Sequence, residues 1–416
     1  MFKKLTINNW RQFENIEIDF HKQLTILTGA NGAGKTSILN ILNNHFGWQS
    51  SFISTPIRDQ KSGVLKYLTG VKRIFKLFDF FKEVHPSEQH KIGEIIYSNN
   101  ASSTLVVPDI AGTNYQIQRQ NHQEIKGLHI PSHRQIYSYQ QVQSIPTQAK
   151  NREDIYNNYW NSLNNAYFSS YQNQRPNFII KETLISLATF GYGNEVVVSN
   201  AESKKIFEEF QEILKIVLPK KIGFKKISIQ MPEVVLETES GVFSLDSVSG
   251  GIASIIDLSW QIYMYPYGEG GFVVTIDEPE NHLHPELQKT LLPNLMQAFP
   301  NVQFIVATHN PFIISSTPNS HVYVMNYNDE HQVFSTYLDM INKAGSSNDI
   351  LREVLGIEST IPIWVEEKLD KIINKYAAQE LSSENINRMR NEMEEIGFDK
   401  LIPSSIARII DEGEKK

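Results

Sequence analysis

Three short apolar runs punctuate the chain. Leu24 to Thr28, Phe272 to Ile276 and Phe304 to Ala307 are unbroken and rich in β-branched residues, so they predict strands buried on both faces of a sheet. Apolar residues then recur at helical spacing. Ile38, Leu39, Ile41 and Leu42 follow the first run, and Ile252, Ile255, Ile256 and Leu258 precede the second. "ESKKIFEEFQEILKIVLP" places Ile206, Phe207, Phe210, Ile213, Leu214 and Val217 on one face of a third helix. "KKLTINNW" and "ENIEIDF" alternate as half-buried strands, and "GFKKISIQMPEVVLETESGVFSL" gives two or three more with a Ser-Gly turn. Strands alternating with helices predict an α/β chain with a mixed sheet.

Between these segments lie inserts. "YLTGVKRIFKLFDFFKEV" predicts a helix with Val71, Ile74, Leu77 and Phe78 inward and Lys72, Arg73 and Lys76 outward, a solvated basic face or a nucleic-acid contact. "STLVVPDI" and "TNYQIQRQ" predict strands, and residues 146–220 predict mainly helix. "HVYVMNY" and "HQVFSTYLDM" are expected to finish the sheet edge, and helices are expected from Ser346 onward, capped at Ser346 or Ser347 and at Ser382. The expected division is a core N-terminal part at 1–50, the rest of that lobe at 51–145 and a helical insertion at 146–224. The core C-terminal part follows at 225–335, and a helical cap or partner-docking segment at 336–416.

Composition narrows the class. The chain has 416 residues, 40% of them hydrophobic and 20% charged, and a net charge of −7. That balance fits an ordinary globular protein and disfavours a general nucleic-acid sponge. It has no cysteine, and the start has no apolar leader, which suits a reducing cytosol. No run reaches membrane-spanning length, so no membrane partner is expected.

The chemistry sits at the ends of the apolar runs. After the first comes Gly29-Ala30-Asn31-Gly32-Ala33-Gly34-Lys35-Thr36, then Ser37 and a helix. This Gly-x-x-x-x-Gly-Lys-Thr pattern between strand and helix is the P-loop, whose backbone N–H groups wrap phosphates. Lys35 is expected on the β- and γ-phosphates of ATP and Thr36 on Mg²⁺. After the second run come Asp277 and Glu278. Asp277 is expected to support Mg²⁺, and Glu278 to activate the attacking water. His282 and His284 follow, with no third metal ligand nearby in the sequence. The third run ends at Thr308-His309-Asn310-Pro311, and 31 residues separate Glu278 from His309, room for a crossover helix from Pro285 to Phe299. Ser249-Gly250-Gly251 heads the helix before the acidic strand.

Together these motifs resemble the ABC-type ATPases of the SMC, RecF and OLD group. The features that carry the likeness are the P-loop, Asn9-Trp10-Arg11 with Phe13, Asp277-Glu278-Pro279-Glu280 with Leu283-His284-Pro285, His309, and Ser249-Gly250-Gly251. The signature Leu-Ser-Gly-Gly-Gln is matched in part, with Val248 for Leu and Ile252 for Gln. The resemblance implies that Ser249, Gly250 and Gly251 bind the γ-phosphate of ATP held in a partner's P-loop. It implies that His309 senses that phosphate. It places a glutamine that contacts Mg²⁺ and γ-phosphate after the strand ending at Pro131, with Gln135 the candidate and Gln140 and Gln141 competing. Arg11 becomes a nucleotide-contact candidate, and Arg134 a contact to phosphate or to a neighbouring subunit.

The compact layout resembles the ATPases of bacterial anti-phage systems such as Septu, PARIS and certain retrons. That likeness implies a cytoplasmic, Mg²⁺-dependent ATPase acting as sensor or regulator. It would work as a homo-dimer or higher homo-oligomer joined through ATP, with a separate nuclease or toxin as effector and nucleic acid as a further candidate partner. The alternative is a RecF-like DNA-repair ATPase. "WVEEKLDKII" lacks the glycine of a TOPRIM motif at Glu367 and no Asp-x-Asp follows, so no nuclease is expected within the chain.

Overall fold

The computed structural model describes residues 1–48, 50–58, 63–71, 89–108, 110–134, 137–148, 150–168, 175–268, 270–339, 345–357, 362–377, 383–395 and 398. They form two units, Met1–Leu355 and Gly356–Lys416.

The first unit is built on an eleven-stranded sheet. Its strands, in chain order, are β1 (Phe2–Trp10), β2 (Phe13–Asp19), β3 (Leu24–Gly29), β4 (Gln89–Tyr97), β5 (Ser102–Pro108), β6 (Gln118–Gln120), β7 (Gly127–Ile130), β8 (Phe272–Asp277), β9 (Val302–Ala307), β10 (His321–Tyr327) and β11 (Val333–Tyr337). Across the sheet they run β6-β5-β4-β1-β2-β11-β10-β3-β9-β8-β7. The block β10-β3-β9-β8-β7 is parallel, and β1, β2, β4, β5 and β6 form an antiparallel wing. The sheet is therefore mixed, as the sequence pattern predicted.

Every residue of β3, β8 and β9 is buried. Alternate side chains of a strand point to opposite faces. Accordingly Ile26, Val274 and Val306 enter one apolar core, while Leu27, Val273 and Ile305 enter another. Helix α1 (Lys35–Asn43) contributes Ile38, Leu39, Ile41 and Leu42 to the second core. The first core is shared with α2 (Arg152–Phe168), α3 (Pro176–Tyr192), α4 (Ala201–Val217), α5 (Gly250–Met264) and α6 (Pro285–Ala298). Phe210 of α4 meets Trp260 of α5 edge-on, with ring centroids 5.0 Å apart. A separate three-stranded sheet (Phe224–Gln230, Glu233–Thr238, Gly241–Ser244) precedes α5.

One expectation is overturned. β10 and β11 do not finish the sheet edge but lie inside it, β10 parallel to β3 and β11 parallel to β2. The end strands are β6 and β7. Alternation marks a strand but not its neighbours, and these pairings join segments some 300 residues apart, as in the 2.7 Å bond from Glu17 N–H to Ser335 Oγ. The basic helix expected across 67–84 begins instead as a strand, Leu65–Leu68, and most of it lies outside the described residues. Ser346 caps a short helix through a reciprocal bond with Asp349, whereas Ser382 lies outside the described residues.

In the second unit α7 (Ile363–Ala377) and α8 (Ser383–Glu395) pair through Leu369, Ile372, Ile373, Met389 and Met393. No helix among the described residues is long and apolar enough to cross a membrane.

Candidate functional site

The P-loop leaves β3 through backbone that only glycine adopts easily. Gly29, Gly32 and Gly34 have φ of 131°, 82° and 89°. A Cβ on Gly29 would come 2.5 Å from the Met325 carbonyl, and one on Gly34 would come 2.4 Å from the Phe13 ring. The loop is thus wedged between β10 and β2. Ala30, Asn31 and Gly32 are exposed and Ala33 is buried. Lys35 opens α1 and folds back, its Nζ donating to Gly29 O at 2.9 Å and Ala30 O at 3.0 Å. Burial lowers its pKa below the ordinary lysine value. No acidic side chain sits in the first turn of α1, so the helix N-terminus keeps its affinity for anions.

The acidic strand delivers its two carboxylates differently. Asp277, the last residue of β8, accepts a 2.8 Å hydrogen bond from Thr36 Oγ1. It is 8% exposed; burial pushes its carboxyl above the usual range, while the Thr36 bond pulls the other way. Glu278 turns out of the strand with φ of 47°, left-handed backbone that a branched or long side chain rarely takes. Its N–H donates to Ala307 O at 2.8 Å, so the end of β9 fixes the turn. Its Oε1 lies 3.4 Å from Nδ1 of His309, and its Oε2 accepts from Asn281 Nδ2 at 3.2 Å.

Two further participants, Glu280 and Asn281, were given no role in the sequence reading. Glu280 is buried, its carboxyl pushed up by burial, and accepts from Thr308 Oγ1. Asn281 also donates to Ser132 O at 3.0 Å. Glu280 stood in the quoted Asp-Glu-Pro-Glu run, but only the fold joins it to Thr308. Arg134, the candidate contact to phosphate or a neighbouring subunit, makes three hydrogen bonds within its own chain. Its guanidinium donates to the carbonyls of Glu278 (2.8 Å) and Pro279 (3.1 Å) and to Ser254 Oγ (2.7 Å).

Ser249 caps α5, its Oγ accepting from Ile252 N at 3.5 Å. Ser249 and Gly250 are exposed, while Gly251 is buried and a Cβ there would come 3.2 Å from His282 O. Ahead of the cap, Asp246 is held by Lys181 Nζ at 2.7 Å and Asn177 Nδ2 at 3.1 Å, both from α3. Lys181 is fully buried and also pairs with Glu233.

The remaining candidates have other surroundings. The Arg11 guanidinium stacks near the rings of Trp10, Phe52 and Tyr115 and donates to Ile53 O. Its neighbour Gln12 reaches the P-loop, donating to Gly32 O at 3.3 Å. Gln135 lies outside the described residues. Gln140 turns its carbonyl to Lys181 and Gln141 is exposed. Ser37 follows Thr36 in the first turn of α1. His282 is exposed with φ of 69°, and His284 caps α6 by accepting from Glu286 N.

A P-loop on β3, paired acids at the end of β8 and a histidine after β9, on one mixed sheet, define a P-loop ATPase. The chain belongs to the AAA ATPase domain family, which matches residues 1–314. Among curated relatives, Septu protein PtuA of Bacillus thuringiensis is 21% identical over 383 residues, covering 88% of this chain and 87% of the relative. Septu protein PtuA of Bacillus mycoides is 24% identical over 90% of this chain, which spans only 46% of that longer protein. Retron Vc95 probable ATPase of Vibrio cholerae is 32% identical over 105 residues, 25% of this chain and 20% of the relative. Among solved structures, the SMC head domain from Thermotoga maritima aligns over 81% of this chain and 99% of its own at 13% identity, with a TM-score of 0.40. The protein is thus an AAA-type ATPase similar to Septu protein PtuA and to retron ATPases.

Proposed function

We propose that the chain hydrolyses ATP in a composite site, its own P-loop facing the Ser249-Gly250-Gly251 segment of a second copy. The observation that carries this reading is the exposure of Ser249 and Gly250 at the head of α5. Helix N-termini bind phosphate, and this one is left open to a partner.

The residues present suit a magnesium nucleotide. A hydroxyl and a carboxylate joined at 2.8 Å form an oxygen-only donor set of the kind Mg²⁺ prefers, and the buried Asp277 carboxylate favours a cation beside it. Thr36 and Asp277 would hold the ion, which supplies neutralisation of phosphate charge. Lys35 would exchange its two carbonyl partners for phosphate oxygens. Glu278 would take the proton of the attacking water, with Asn281 and His309 aiming its carboxylate. His309 would donate to the γ-phosphate and so report its loss.

The relationship to Septu and retron ATPases supports a regulatory role in cytoplasmic anti-phage defence. In this reading the ATP-bound assembly holds a separate nuclease or toxin in check. A mixing experiment tests the composite site. Lys35→Ala and Ser249→Arg are each expected to be inactive alone, and mixing them should restore turnover, because one intact half-site comes from each. No recovery in a mixture shown to form hetero-oligomers would refute it.

A further inference from the structure

The geometry points to Arg134 as a positioning residue that fastens the strained Glu278 turn to helix α5. This rests on Glu278 as the base proposed above. Glu278 occupies left-handed backbone, φ 47°, and such a conformation persists only where surrounding bonds over-determine it. On one side Ala307 O accepts the Glu278 N–H at 2.8 Å. On the other, Arg134 Nη2 donates to Glu278 O at 2.8 Å and Nη1 to Pro279 O at 3.1 Å. The two carbonyls of the turn are therefore read by one planar fork.

The same Nη1 donates to Ser254 Oγ at 2.7 Å, and Ser254 is 5% exposed in the first turns of α5. That helix begins at Gly250, directly after Ser249. One guanidinium thus spans from the head of the phosphate-facing helix to the backbone of the base. A shift of α5 moves Ser254, and through Arg134 it moves the carbonyl that sets the aim of Glu278. A lysine keeps the charge but cannot serve separate acceptors from two nitrogens.

The test uses the full-length protein and compares Arg134→Lys, Arg134→Met, Glu278→Gln and the double variant Arg134→Met/Glu278→Gln. A fluorescent ATP analogue gives the nucleotide dissociation constant, and steady-state hydrolysis gives kcat and KM. Binding and KM are expected to stay within about threefold of wild type, because the guanidinium bonds described above go to Glu278, Pro279 and Ser254 and not to the P-loop. The value of kcat should fall about a hundredfold in Arg134→Met, the scale of a misplaced catalytic group, and roughly tenfold in Arg134→Lys. In the Glu278→Gln background, Arg134→Met should add no further loss.

An unchanged kcat in both arginine variants overturns the proposal. So does a loss of nucleotide binding as large as the loss of kcat, or a fully multiplicative loss in the double variant. If Arg134→Met does not fold, Arg134→Lys decides alone. Should Glu278→Gln keep wild-type turnover, the general-base reading fails instead. An inactive Glu278→Gln beside normal arginine variants rejects only the role of Arg134.

Discussion

Thr36 Oγ1 donates a 2.8 Å hydrogen bond to Asp277 Oδ2, closing the P-loop helix onto the acidic strand 241 positions away. The pair joins the two halves of the site in the described structure. Replacing Thr36 by valine removes the donor and preserves the shape. The Mg²⁺ concentration for half-maximal turnover is expected to rise about tenfold, while nucleotide binding without Mg²⁺ stays near wild type. A magnesium titration of hydrolysis checks this, and an unchanged midpoint rejects the assignment.

Glu278→Gln keeps the size of the side chain and loses its basicity. Hydrolysis should fall by roughly 10²–10⁴, the usual contribution of a positioned base. Because bound ATP would then persist, ATP-dependent association should strengthen. Rapid-mix phosphate release and sedimentation with ATP measure the two effects. Normal release rates in this variant would sink the role given to Glu278.

Glu280 carries a pH signature. Burial raises its carboxyl above the ordinary value, so the folded protein holds the proton more tightly than the unfolded chain. Below the unfolded pKa both states are protonated and nothing is lost. As pH rises through the folded pKa the ionised form penalises folding, and above it the penalty is complete. Glu280→Gln should therefore raise Tm at pH 7, by about 2 °C, and the gain should vanish as pH falls toward 4.5, the unperturbed value. A Tm difference that grows on acidification contradicts this account.

Lys181 is a buried cation facing Asp246 and Glu233. Removing one member of such a set leaves charges without compensation and costs about 3 kcal/mol. Lys181→Met is expected to lower stability by that order in denaturant unfolding. Adding Asp246→Asn should recover part of the loss. Additive losses in the double variant would show that the two side chains act independently.

What the sequence revealed follows from how local each feature is. The P-loop was legible because strand, glycines, Lys35 and α1 are consecutive, and their backbone demands depend little on the rest of the fold. The paired acids and His309 were legible for the same reason, each ending its own apolar strand. The placement of β10 and β11 was not, since their partners β3 and β2 lie some 300 residues earlier. Arg134 was legible as a polar residue after a strand, yet its acceptors lie 120 to 145 positions away. A guanidinium shows its partners only when the chain has folded. The surroundings of Arg11 were hidden in the same way: its guanidinium lies beside Trp10, Phe52 and Tyr115, two of them distant in the chain.

The apolar core that Phe210 and Trp260 share has a consequence for what the chain can lose. Helices α2 to α5 pack into one apolar core, and Lys181 of α3 is anchored on Asp246 just ahead of α5. Removing these helices would expose Trp260 and strand Asp246, so the chain could not shed them without rewriting the helix that Ser249 caps.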